Sequence, residues 1–271
     1  MPSPAPVPRH SVLGVGVHAT TYAHATAAIL AAARARQPFT ATALAVHGVM
    51  TGRLDPAHQQ RLNALDLVTP DGQPVRWALN WLHRAGLADR VYGPFLMLRL
   101  CEGAAAEGLP VFLYGSDDAT LAALDANLRR RFPALPIAGW RPSRFRRATV
   151  AEWEQDIQAI RDSGAALVFC GLGCPRQEIW IHEMGPALRV PLVAVGAAFS
   201  FWAEREPMAP AWMQRAGLEW AFRFAHAPRR LAHRYLILSP LFLAGLIRQK
   251  LRPVPVTPAA PAAMPPVLRW S

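Results

Sequence analysis

The chain has 271 residues, 52% hydrophobic and 17% charged, which excludes general disorder and suits one large α/β domain or two small lobes. Its net charge of +11 is concentrated, because between Arg205 and Ser271 ten Arg or Lys stand against Glu206 and Glu219, a local +8. Such a patch excludes evenly spread basicity and points to an anionic partner: phospholipid headgroups, a pyrophosphate or nucleic acid.

The N-terminus, MPSPAPVPRH, is Pro-rich and lacks the long apolar run of a signal peptide; residues 1–12 are expected to be flexible. Thr42–Met50 (TALAVHGVM) reads as the first strand, and Leu65–Thr69 (LDLVT) as a second that runs into Pro70-Asp71-Gly72. Val75, Ala78, Leu79 and Leu82 then recur at helical spacing. A second set opens near Leu109, so the α/β core, residues 13–205, is expected in two lobes split near residue 108. Pro110–Ser116 is a buried-strand pattern ending in a glycine turn, with Asp117 or Asp118 placed to cap the following helix. Ala166–Ile181 repeats strand, turn and helix, with Pro175 in the first helical turn, and Leu192–Ala203 adds a further strand and glycine turn. These near-continuous apolar runs predict mostly parallel strands buried on both faces.

From Glu206 the character changes to Trp and Arg on helical spacing, a basic helical appendage over residues 206–252. Arg223, Arg230 and Arg234 would share a face of one continuous helix, but Pro228 breaks or restarts it. Tyr235–Ile247 is the most lipophilic stretch, yet it falls short of the roughly 20 apolar residues a bilayer span needs. It reads as an interfacial or packed segment. Residues 253–271 form a Pro/Ala-rich tail expected to be disordered.

Parallel α/β sheets bind ligands beyond the carboxyl ends of their strands. The ends here are Pro70-Asp71-Gly72, Gly115-Ser116, Gly171 to Gln177, and Gly196 to Phe199. Their glycines admit close backbone approach, and helix N-termini attract phosphate, so a nucleotide diphosphate is the natural ligand class. A dinucleotide fingerprint is disfavoured, because Arg176 stands where its third glycine belongs and the stretch lies late in the chain. Asp71 is a candidate general base, although Pro-Asp-Gly is also a common turn. Arg176 can pair with phosphate and Gln177 can bond sugar hydroxyls. His47 reads as a satisfied buried histidine of the first strand, and Trp212, Trp220 and Phe222 read first as packing residues. Cys101, Cys170 and Cys174 suit a reducing compartment and show no zinc-ligand spacing, so neither a metal nor a cofactor is expected.

Taken in order, LVTPDGQPVRWAL, VYGPFLM, VFLYGSDDATLAAL, LVFCGLGCPRQEIWI and VAVGAAFSFWAEREPMAPAWMQRAGLEWAFRF resemble successive blocks of the WecG/TagA/CpsF glycosyltransferases, followed by PRRLAHRY. The resemblance implies a Rossmann-like core with a C-terminal appendage that meets the membrane. It also implies inverting, metal-independent transfer from a UDP-sugar to a polyprenyl-diphosphate-linked saccharide of exopolysaccharide, capsule or wall polymer. On this resemblance Asp71 is the base and Gln177 falls on the family's Pro-Lys/Arg-Gln-Glu motif. The family's Thr-x-Asn at the end of the first strand lacks its Asn here, and Thr42 is the nearest equivalent of the Thr. Gly115, Ser116, Gly171, Gly173, Arg176, Gly196 and Phe199 are expected around the donor, and Arg223, Arg229, Arg230 and Arg234 at the lipid pyrophosphate or headgroups. The expected place is the inner face of the cytoplasmic membrane, with homo-oligomerisation open. Two rivals are a non-catalytic membrane-associated scaffold of the same fold, against which Asp71 and Gln177 argue, and a nucleic-acid-binding protein. The latter is disfavoured because the basic cluster is interleaved with lipophilic residues and carries no nucleic-acid motif.

Overall fold

The computed structural model describes residues 7–146 and 148–259; the Pro-rich stretch before residue 7 and the end of the Pro/Ala tail lie outside them. Its centre is a six-stranded parallel sheet built from β3 (Phe39–Leu44), β4 (Leu67–Pro70), β5 (Val111–Tyr114), β6 (Ile137–Arg141), β7 (Leu167–Cys170) and β8 (Pro191–Ala194). A separate antiparallel hairpin, β1 (Arg9–Val12) and β2 (Val15–His18), precedes it. The sheet order is β4-β3-β8-β7-β5-β6, so strands from both sides of residue 108 are hydrogen-bonded into one sheet.

The apolar runs follow from this placement. Along β7, Val168 and Cys170 enter one buried cluster while Leu167 and Phe169 enter the other, because successive strand side chains point to opposite faces. Both faces are covered, so the strand has no polar side, and the sheet is Rossmann-like. The chain lays β3 and β4 outward one way and β5 and β6 the other, then fills the middle with β7 and β8. That leaves a crevice at the carboxyl ends of the central strands.

The first sheet strand differs from its expected bounds. It spans Phe39–Leu44, and Val46–Leu54 is a helix that carries His47. Val46, Val49 and Met50 fit the helical period as well as a strand run, and the two readings separate only when Ala45 turns the chain. Asp117 is the cap of the helix Asp118–Arg131, accepting from the Thr120 amide at 2.8 Å.

Both ends of the described chain are ordered where flexibility was expected. Arg9–Val12 forms β1 because Val12, Leu13, Val15 and Val17 are buried, and because the Arg9 guanidinium donates to the carbonyls of Asn63 at 2.8 Å and Leu62 at 3.0 Å. The start of the tail lies on this hairpin: the Thr257 amide donates to the Gly14 carbonyl at 3.0 Å, and Asn63 Nδ2 donates to the Thr257 carbonyl at 2.7 Å.

The appendage also departs from expectation. The helix Glu219–His226 ends before Pro228, and a continuous helix then runs from Pro228 to Leu251 through a π-helical turn at His233–Leu238. Its 24 residues are long and apolar enough to cross a membrane, unlike the stretch Tyr235–Ile247 taken alone. In the structure one stripe of it packs on the protein through Leu231, Leu238, Phe242, Leu246 and Gln249. Gln249 accepts from the Leu13 amide at 2.7 Å and donates to the Ser11 carbonyl at 2.8 Å, which pins the helix across the hairpin. Leu236, Ile237, Leu241, Ile247 and Leu251 remain exposed.

Candidate active site

The carboxyl ends of β3, β5, β7 and β8 open into a cavity of about 480 Å³. Ser116, Gly171, Gly173, Arg176, Gln177 and Gly196 line it, as the strand–turn–helix pattern predicts for a phosphate-bearing ligand. Gly115 sits just outside that lining. Its φ of +106° is one that L side chains rarely adopt, and it turns the chain beneath Leu172. Phe199 does not face the cavity. It is 1% exposed and packs under Gly171, where any Cβ would fall 2.5 Å from its ring. Phe199 therefore shapes the floor through Gly171 instead of touching a ligand.

Asp71 follows β4 directly and lies where two cavities meet. One carboxylate oxygen, Oδ1, accepts from the Gly93 amide at 2.6 Å, while Oδ2 has no hydrogen bond among the described residues. Burial raises its pKa to about 6, the nearby Arg90 guanidinium opposing the shift. A half-buried carboxylate with a free oxygen and a pKa near neutrality has the properties of a general base.

Thr42 does not reach the cleft. It is fully buried, and its hydroxyl donates to Glu178 Oε1 at 2.9 Å. The same oxygen accepts from Gln177 Nε2 at 2.7 Å, and Gln177 Oε1 accepts from the Gly196 amide at 3.0 Å. Thr42, from behind the cavity, and Glu178 and Gln177 in its wall thus form a chain of bonds that fixes the glycine turn after β8. The β3 end of the cavity wall is Ala43, Leu44 and Ala45, with no polar side chain among the three.

The appendage closes the open side. Arg223, Arg230 and Arg234 line the cavity from two separate helices, whereas Arg229 is exposed and lines neither cavity. Burial, and then the neighbouring Arg223, lower the pKa of Arg234, while Arg230 is paired with Glu206 at 2.9 Å. Glu219 reaches inward from the same appendage. Its carboxylate accepts from Arg90 at 2.6 Å and from the Tyr92 hydroxyl at 2.8 Å, with Arg90 stacked 4.1 Å from the Tyr92 ring centroid.

His47 lines both cavities from its helix and is half-buried, and burial followed by Arg234 lowers its pKa to about 4. It is a neutral cleft residue, not a strand-core histidine. Among the described residues, the donor set closest to a cation site is His58, Cys174 and Glu178, whose ligand atoms lie within 4.8 Å of one another. Burial lowers the pKa of His58 to about 4 and raises that of both Cys174 and Glu178, and the latter two form part of the cavity lining. The residues that sequence reasoning left out are Glu178, Arg90, Tyr92 and Glu219. Glu178 alone had a local signal, as the neighbour of Gln177; the others become partners only through pairings 127 and 129 residues apart.

The profile of the glycosyl transferase WecG/TagA/CpsF family matches residues 10–255. An N-acetylglucosaminyldiphosphoundecaprenol N-acetyl-beta-D-mannosaminyltransferase of Bacillus spizizenii is 25% identical over 197 residues, covering 72% of this chain and 74% of the relative.

Proposed function

Because the chain belongs to the WecG/TagA/CpsF family of glycosyltransferases, we propose that its cleft moves a sugar from a UDP-sugar onto a saccharide carried by a polyprenyl diphosphate. The observation that carries this reading is the position of Asp71 between glycine turns suited to a nucleotide diphosphate and an arginine cluster suited to a second one. The relative from Bacillus spizizenii, named for an undecaprenyl-diphosphate acceptor, supports the same acceptor class. Its N-acetylmannosamine donor is not carried over, since Leu44 stands where the family's Asn would follow Thr42 and the β3 wall of Ala43, Leu44 and Ala45 has no polar side chain.

In the reaction, Asp71 takes the proton of an acceptor hydroxyl as that oxygen attacks the anomeric carbon of the donor. The new glycosidic bond forms as the bond to UDP breaks on the opposite side, so the configuration inverts. UDP leaves with the bonding electrons, and its growing charge is met by Arg176 and the turn amides, aided by Arg223, Arg230 and Arg234. This assigns to arginine the part a divalent metal plays elsewhere. The exposed Trp81 and Trp212, together with the apolar outer side of the appendage helix, suit contact with the inner membrane face.

Two measurements follow. Calorimetric titration of UDP in metal-free buffer should give binding that Arg176→Ala weakens; absence of binding would remove the donor assignment. The pH profile of kcat/KM should lose activity as pH falls through about 6, because the base must be deprotonated and burial has raised its pKa. An acid limb near the ordinary carboxylate range would contradict Asp71 as the group observed.

A further inference from the structure

A second cavity, of about 380 Å³, opens from Asp71 away from the glycine turns. Its walls are Trp77, Trp220, Tyr235, Phe242 and Leu243, so it is aromatic and aliphatic over most of its length. The charged side chains that line it are Asp71, Arg90, Glu219, Arg223 and Arg234. Arg90 and Glu219 neutralise each other at 2.6 Å, leaving Arg223 and Arg234 as the cations that both cavities share.

The walls are built, not incidental. Gly217 has φ +74°, and a Cβ on it would meet the Trp77 ring at 2.6 Å, so the indole rests directly on that backbone. On the other side, the ring centroids of Trp220 and Tyr235 are 5.9 Å apart. Trp77 and Trp220 are nevertheless 46% and 48% exposed, which leaves the groove uncovered.

Resting on the acceptor class proposed above, we propose that this groove seats the first isoprene units of the acceptor lipid, with the diphosphate at Arg223 and Arg234 and the acceptor sugar at Asp71. Charge complementarity selects this occupant: Arg223 and Arg234, shared with the cavity that Asp71 joins, call for an anion, and the apolar walls call for hydrocarbon. An isoprenyl diphosphate carries both in that order. A flat bilayer surface does not enter a groove, and an apolar helix has nothing to place against two arginines.

The test compares acceptors bearing the same sugar diphosphate on geranyl and geranylgeranyl chains, both below their aggregation limits. The longer chain should lower the acceptor KM by about tenfold or more, from the added apolar burial. Trp77→Ala and Leu243→Asp should each erase most of that difference while the donor KM stays as in the native protein. Equal KM values for the two chains in the native protein would overturn the groove, as would variants that leave the difference intact. A separate binding experiment covers the case in which neither acceptor is used, which would speak against the choice of acceptor sugar or the transfer reaction itself. Quenching of tryptophan fluorescence by soluble geranylgeranyl diphosphate should saturate, and should weaken markedly in Trp77→Ala. Binding to anionic vesicles without binding to soluble geranylgeranyl diphosphate would overturn the groove and leave a bilayer-contacting face.

Discussion

Asp71→Asn is expected to lower turnover by about 10²–10⁴-fold while UDP binding stays as in the native protein. The substitution is nearly isosteric, and the amide oxygen can still accept from the Gly93 amide that Asp71 Oδ1 engages at 2.6 Å. The glycine turns and Arg176 that are assigned to the donor lie on other strand ends and are untouched. What disappears is the basic oxygen beside the acceptor groove. Single-turnover assays together with UDP titration separate the two effects. Near-native turnover would remove Asp71 as the base, whereas joint loss of binding and turnover would indicate a collapsed cleft.

Glu219→Ala should be the most damaging substitution in the appendage. Its carboxylate is the partner of Arg90, whose side chain is only 8% exposed, and it also accepts from the Tyr92 hydroxyl. Removing one member of a buried ion pair leaves an uncompensated charge and costs about 3–5 kcal/mol. The loss should appear first as release of the appendage, read by limited proteolysis around residues 206–218 and by a lowered melting temperature. A second consequence is electrostatic. Glu219 raises the pKa of Asp71 and Arg90 lowers it, so without Glu219 the acid limb of the pH profile should move to lower pH. A fall in stability with an unmoved acid limb would make Glu219 a packing residue with no influence on the base.

The parallel sheet and its flanking helices were legible because strands buried on both faces leave uninterrupted apolar runs, as in Leu167–Cys170. Asp71, Gly171, Gly173, Arg176 and Gly196 were legible because ligand crevices lie at strand ends, and these residues sit there. Thr42 and Phe199 misled for one reason. Each lies beside a cleft residue in sequence, and alternation or helix geometry turns it away from the cleft into buried contacts. Gln177 was found, but it holds the Gly196 turn, a partnership that depends on two strand ends meeting in space. The pairing of Glu219 with Arg90 and Tyr92 had no local pattern to reveal it. The hairpin Arg9–His18 was missed because four-residue strands near a Pro-rich terminus give little periodicity, and its stability comes from Arg9, Asn63, Gln249 and Thr257 far along the chain. The continuity of Pro228–Leu251 was hidden by Pro240, which sits in the first turn of the helical segment Ser239–Leu251, immediately after the π-helical turn, where a missing amide is tolerated.

The most direct measurement is release of UDP by the purified protein from a panel of UDP-sugars, with and without a geranylgeranyl-diphosphate-linked saccharide, in the presence of EDTA. The account predicts release that depends on the acceptor, persists in EDTA and identifies one preferred sugar. Release that needs a divalent metal would contradict the arginine-based departure of UDP. No acceptor-dependent release from folded protein, with native lipid extract also supplied, would contradict transfer itself and leave the scaffold reading in its place.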